Sequence, residues 1–165
     1  MLTRSGGGVH SEAGCHFCLA KAVHRCTIGA MMKLLRLSFL PRSTDFGLLL
    51  LRLALGLTML LNHGWGKLTS FSQKSGSFPD PLGMGSQLSM GLAVFAEVVC
   101  AALLVVGFLT RFAALNLAIT MAVAFFAVHK MVLTGEHSGE LALVYLAGFV
   151  TLLFTGSGKF AFERD

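Results

Sequence analysis

Four apolar segments, each about the length of a membrane span and nearly free of charge, constrain this chain more than any other feature. On a window of about 19 residues they cover residues 45–65, 88–109, 112–133 and 141–158. The first holds one full charge, Arg52, and the second holds Glu97. The third carries His129 and Lys130 near its end, and the fourth follows directly on Glu140. A spanning helix needs about 20 apolar residues, so four helices and their connections use most of the 165 residues. No segment shows the strict alternation of a membrane strand. The expected fold is all-α, a four-helix transmembrane bundle.

Composition supports the same reading. The chain is 55% apolar and 13% charged, with a mean hydropathy of +0.74. A soluble domain carries about 25% charged residues to keep its surface wet. A soluble monomer, a disordered chain and a nucleic-acid-binding module are therefore excluded. The net charge of +5 has another origin. Six of the 13 basic residues (Arg4, Lys21, Arg25, Lys33, Arg36 and Arg42) precede the first apolar run, as on a cytoplasmic flank. Assigning Lys and Arg to alternate sides puts nine with the termini and three (Lys67, Lys74 and Lys130) on the opposite side. By the positive-inside rule both termini lie in the cytoplasm, and the protein is a multi-pass component of the inner membrane.

The connections differ in kind. Residues 66–87 hold Pro79, Pro81, several glycines and five serines and are read as irregular. A tight turn is expected at Thr110–Arg111, and residues 134–139 form a short polar link. Residues 1–44 are read as a disordered or over-annotated extension that ends in the basic flank, residues 45–160 as the membrane domain and residues 161–165 as a short tail. Cys15 and Cys18, with His10, His16, His24 and Cys26 nearby, have the composition of zinc ligands. They lack the two regularly separated pairs of a structural site, so no metal is expected. Residues before Met31 have no signal-peptide h-region, and Met31 or Met32 resembles a natural start.

A charge at the bilayer centre costs about 2.5–3.5 kcal/mol on insertion scales, so each one needs a reason. Arg52 and Glu97 sit on adjacent antiparallel helices at depths that differ by roughly 7 Å at 1.5 Å per residue. A buried Arg52–Glu97 pair is expected, either fixing helix register or forming a charged floor to a substrate or proton site. Arg52, Gly56, Met59 and His63 share one helical stripe. Ala118, Ala122, Phe125 and His129 share another, and Glu140 opens the fourth helix. Antiparallel packing then brings His63, His129 and Glu140 to similar depth, a proton-handling or metal-binding composition that a helix–water boundary also accumulates without purpose. Trp65 and Lys67 are read as interface anchors, and Ala93, Ala96, Cys100 and Ala101 allow close helix approach. No P-loop, GxSxG elbow or haem-attachment motif is present.

The run Leu51-Arg52-Leu53-Ala54-Leu55-Gly56, followed by Asn62-His63-Gly64-Trp65-Gly66-Lys67-Leu68, resembles the opening of the DoxX family. So do Ala93-Val94-Phe95-Ala96-Glu97, Gly107-Phe108-Leu109-Thr110-Arg111, the helix ending in His129, Gly139-Glu140-Leu141-Ala142-Leu143 and Gly156-Ser157-Gly158-Lys159-Phe160. The resemblance spans residues 46–160 and implies a four-helix bacterial inner-membrane protein. The family takes its name from a subunit of a thiosulfate:quinone oxidoreductase. A mycobacterial relative is linked to a membrane complex for thiol and oxidative-stress defence. The resemblance thus implies an accessory or membrane subunit of a quinone- or thiol-linked oxidoreductase system, with a quinone at the membrane site and other membrane or peripheral redox proteins as partners. A non-catalytic anchor and a small-molecule or proton carrier are the alternatives. The lack of a redox-cofactor motif argues against a complete enzyme. The expected surroundings are the lipid bilayer and no nucleic acid, with room for a homo-oligomer.

Overall fold

The computed structural model describes residues 43–135 and 138–163. The readings made for residues 1–42, including Cys15 and Cys18, lie outside the described residues. Among the described residues five helices follow in order. They are α1 (Thr44–Thr69), α2 (Phe71–Lys74), α3 (Ser86–Val106), α4 (Thr110–Val128) and α5 (Glu140–Thr155). No strand occurs among the described residues. Helices α1, α3 and α4 are long and apolar enough to cross a membrane. Helix α5 has 16 residues, about 24 Å at 1.5 Å per residue, and falls short of a hydrocarbon core of about 30 Å.

The helices are apolar all round, as a membrane bundle requires. Inward, Met59, Cys100, Ala101, Leu104, Leu117 and Phe149 are fully buried. Outward, Leu50, Leu61, Val99, Ile119 and Phe154 are exposed. Where helices cross, small residues let backbones approach. A Cβ on Gly64 would lie 2.5 Å from the Glu97 carbonyl oxygen, and one on Gly56 would lie 2.7 Å from Val105 Cγ2. These two contacts fix the antiparallel register of α1 against α3. Gly148 meets Leu55 in the same way where α5 crosses α1.

Each long helix contains a wide π-helical turn: Met59–Gly64 in α1, Phe95–Cys100 in α3 and Ala124–Val128 in α4. Such turns insert a residue into the helical repeat and re-aim every side chain beyond them, and they occur often at functional sites. The boundaries also differ from the hydropathy reading. The second turn is formed by Gly107–Leu109, with φ of 80° at Gly107 and 48° at Leu109, and Thr110 already belongs to α4. Helix α4 stops at Val128, because Lys130 and Met131 adopt positive φ. His129 therefore stands just past the helix rather than on its stripe.

One cation ties the end of the bundle where α3 and α5 terminate. Arg52 is 1% exposed. Its Nη1 donates to the Ser157 carbonyl at 2.9 Å, and its Nη2 donates to the Phe160 carbonyl at 2.9 Å. A Cβ on Gly107 would lie 2.6 Å from Arg52 Nη1, so the guanidinium lies directly against the turn that ends α3. Helix C-termini carry partial negative charge, and here a cation meets the ends of two of them. The segment after α5 folds back onto the same place. Glu163 N–H donates to the Gly107 carbonyl at 3.2 Å, and Glu163 Oε2 accepts from Leu109 N–H at 3.1 Å. Asp45, in the first turn of α1, accepts from Lys159 N–H at 3.2 Å.

At the opposite end, Asp80 clasps the irregular 75–85 segment to the start of α3. Its carboxylate accepts from Met84 N–H at 3.1 Å, Gly85 N–H at 2.7 Å and Ser89 Oγ at 2.7 Å. The Ser89 hydroxyl, and next the Gly85 amide, hold this carboxyl below its ordinary range, since both bond the ionised form. A depressed folded-state pKa gives stability that is present above the unfolded value and lost as pH falls through the folded one. Amide exchange at Met84 and Gly85 is therefore expected to stay protected through the ordinary carboxylate range and to accelerate at more acidic pH. Asp80→Ala should remove that acid-dependent step, and an unchanged step in the variant would assign it elsewhere.

Candidate functional site

The second deeply buried charge, Glu97, has found a different partner from the one expected. Glu97 is 2% exposed and sits in the π-helical turn of α3, backed by the close crossing at Gly64. Lys67 Nζ lies 2.5 Å from Glu97 Oε1 and 2.6 Å from Oε2. The expected Arg52–Glu97 pair does not form. Its failure is geometric. Gly64 rather than Arg52 stands beside Glu97, and the 12 residue steps from Arg52 to Gly64 amount to about 18 Å along α1. Arg52 instead meets Gly107, at the far end of α3. Lys67 is thus more than an interface anchor. It neutralises the carboxylate that would otherwise be stranded in hydrocarbon, where an unpaired charge is costly.

Two cavities adjoin this pair. The first, of about 330 Å³, is lined chiefly by apolar side chains. Leu92 and Ala93 of α3 and Ile119, Val123 and Ala124 of α4 form its walls, and Phe78, Pro79, Pro81, Leu82 and Met84 roof it. Lys67, Glu97 and His129 supply polar groups to the same cavity. Leu92 and Ile119 also belong to the exposed outer surface, so the cavity borders the lipid-facing seam between α3 and α4. The second cavity, of about 380 Å³, is lined by Asn62, His63, Gly66, Lys67, Ser70, Lys74, Phe78 and Met90. Lys67 and Phe78 belong to both.

The group of His63, His129 and Glu140 expected near this end is not assembled as one cluster. His63 lines the second cavity and meets the Tyr145 ring edge-on, with centroids 5.7 Å apart. His129 lines the first cavity, and a Cβ on Gly139 would lie 2.9 Å from His129 Cβ. Glu140 is exposed at the first residue of α5. Among the described residues no three His, Cys, Asp or Glu side chains are grouped to hold a metal ion. Trp65 is 59% exposed, where an aromatic anchor would be. Sequence reasoning gave no site role to the roof residues of the first cavity or to Lys74, and it placed Lys67 only as an anchor. For Lys67 a signal existed: α1 carries cations near both ends, and the one nearer the α1–α3 loop can also reach α3.

The DoxX family matches residues 47–130, a stretch that contains Arg52, His63, Lys67, Glu97 and His129. A protein of Haemophilus influenzae named "Uncharacterized protein" is 30% identical over 115 residues, covering 64% of this chain and 81% of the relative. A second protein of that bacterium, with the same name, is 28% identical over 104 residues, covering 60% of this chain and 68% of the relative. No solved structure matches the chain. The family match takes in half of the sequence and the paired charges around which the helices pack, and the chain belongs to the DoxX family.

Proposed function

We propose that this protein is a membrane subunit of a quinone-linked oxidoreductase system, and that the apolar cavity beside Lys67 and Glu97 receives the quinone ring. The observation that carries this reading is the cavity itself, which combines apolar walls with a fixed ammonium–carboxylate pair and an imidazole. Ligand sites of this kind are mostly apolar with a few placed polar groups, and run from about 300 to 1,000 Å³. A volume of about 330 Å³ suits a single substituted ring, and the seam beside Leu92 and Ile119 suits a prenyl tail passing into lipid.

A bound quinone would supply a two-electron acceptor. The chain's own groups would bind and orient it. Lys67 spends two of its three N–H bonds on the Glu97 oxygens, which leaves the third to donate to a carbonyl oxygen. Glu97 holds that ammonium in place, and His129 offers a second polar group on the same cavity. A thiol-linked reading is less well supported among the described residues, where Cys100 is a fully buried core side chain. The electron donor on this account is a partner protein.

The proposed topology is four crossings of the inner membrane with both ends cytoplasmic, which follows from the distribution of Lys and Arg. Helix α5 would cross by local bilayer thinning. In a background without Cys15, Cys18 and Cys26, a cysteine at Ser77 should react with an impermeant reagent from outside the cell and one at Lys159 should not. The reverse pattern would overturn the orientation.

Calorimetric titration of the detergent-solubilised protein with a short-chain benzoquinone tests the site. Saturable binding is expected, and Lys67→Met and Ile119→Trp should each weaken it about tenfold, or ~1.4 kcal/mol. Arg52→Lys, at the other end of the bundle, should leave the affinity unchanged. Absence of saturable binding in the unmodified protein would refute the quinone reading.

A further inference from the structure

The second cavity has the opposite chemistry from the first. Two ammonium groups, an amide and an imidazole line it, those of Lys67, Lys74, Asn62 and His63. No carboxylate does. Glu97, which neutralises Lys67, is 3% exposed at its side chain and lines the apolar cavity but not this one. Lys74 makes no ion pair among the described residues, and Asn62 is exposed and makes no side-chain hydrogen bond among them. The Ser70 hydroxyl is committed, donating to the Gly66 carbonyl at 2.7 Å. Asn62, His63 and Lys74 thus present hydrogen-bond donors to one concavity beside the Lys67 ammonium, and Lys74, unpaired among the described residues, leaves it a surplus of positive charge.

From this arrangement we infer that the cavity lined by Asn62, His63, Lys67 and Lys74 is a binding site for a phosphate-like oxyanion. Convergent N–H donors with a net positive charge favour an acceptor-rich anion, because charge-assisted hydrogen bonds are about twice as strong as neutral ones. A cation would meet two ammonium groups and a neutral apolar molecule would strand the donors. The level in the bundle is also suitable. Trp65, 59% exposed and next in sequence to the lining residue Gly66, is the kind of aromatic side chain that gathers at the headgroup level. The anion is either a free oxyanion or the phosphodiester of an anionic lipid. The inference is independent of the quinone reading, since it asks no hydrogen bond of Lys67 and rests on Asn62, His63 and Lys74, which do not line the apolar cavity.

The protein purified in a neutral maltoside detergent is titrated in two arms and followed by its thermal transition. One arm uses inorganic phosphate against chloride at matched ionic strength. The other uses short-chain phosphatidylglycerol against the neutral detergent alone. A saturable upward shift is expected in at least one arm, and the arm that shows it identifies the source. Lys74→Gln and Asn62→Leu alter exposed side chains and should each weaken that ligand about tenfold, the loss of one charge-assisted bond. Both variants should keep the benzoquinone affinity of the unmodified protein. No saturable shift in either arm, or a shift that both variants retain, would overturn the inference. Loss of benzoquinone binding with the anion response intact would count against the quinone site alone.

Discussion

The arrangement of this bundle depends on where the Arg52 guanidinium goes. It is held between the turn that ends α3 and the backbone that follows α5, with carbonyl acceptors from Ser157 and Phe160. A cation in that position answers two needs together. Its own charge is removed from hydrocarbon by fixed dipoles, and the negative ends of two helices are compensated. Gly107 has to be glycine for two reasons, since its φ is 80° and a Cβ would collide with the guanidinium. The residues after α5 are consequently part of the fold. They supply Arg52 with acceptors, and Glu163 in turn bonds both Gly107 and Leu109.

With one end tied this way, the other end is free to carry polar chemistry. The Lys67–Glu97 pair satisfies the second buried charge locally and separates an apolar cavity from a cationic one. Pairing each charge at its own end frees the middle of the bundle for small-residue contacts at Gly56 and Gly64 and a dry core around Met59 and Cys100. The three π-helical turns carry or flank most of the groups concerned: Asn62 and His63 in α1, Glu97 in α3, and His129 just past α4. The departures from regular helix are therefore concentrated where the polar side chains are.

Much of this was legible in the sequence. The apolar segments gave the three long helices to within a few residues, and Arg52, Glu97, His63 and His129 were all singled out as residues needing an explanation. Their partners were not legible, for a specific reason. Counting at 3.6 residues per turn assumes an unbroken helix, and the turns at Met59–Gly64 and Ala124–Val128 break that count just before Lys67 and His129. Depth was misjudged because the start of α1 and the end of α3 were taken as level, whereas Arg52, eight residues into α1, lies against Gly107, just past the end of α3 and ten residues beyond Glu97. Positive φ at Lys130 and Met131, which no hydropathy pattern signals, ended α4 early. The role of residues 156–163 was hidden because an arginine bonding to backbone carbonyls leaves no mark on the identity of the residues that own them.

The central claim is that the two buried charges are satisfied separately, at opposite ends of the bundle. The most direct test is a double-mutant cycle on Arg52→Leu and Glu97→Leu, read as thermal stability in detergent. Sites that share no partner and lie well apart add to within about 0.3–0.5 kcal/mol, and the account predicts that the two losses add in this way. If the double substitution instead recovered most of the loss of either single one, Arg52 and Glu97 would be partners, contradicting the arrangement described here.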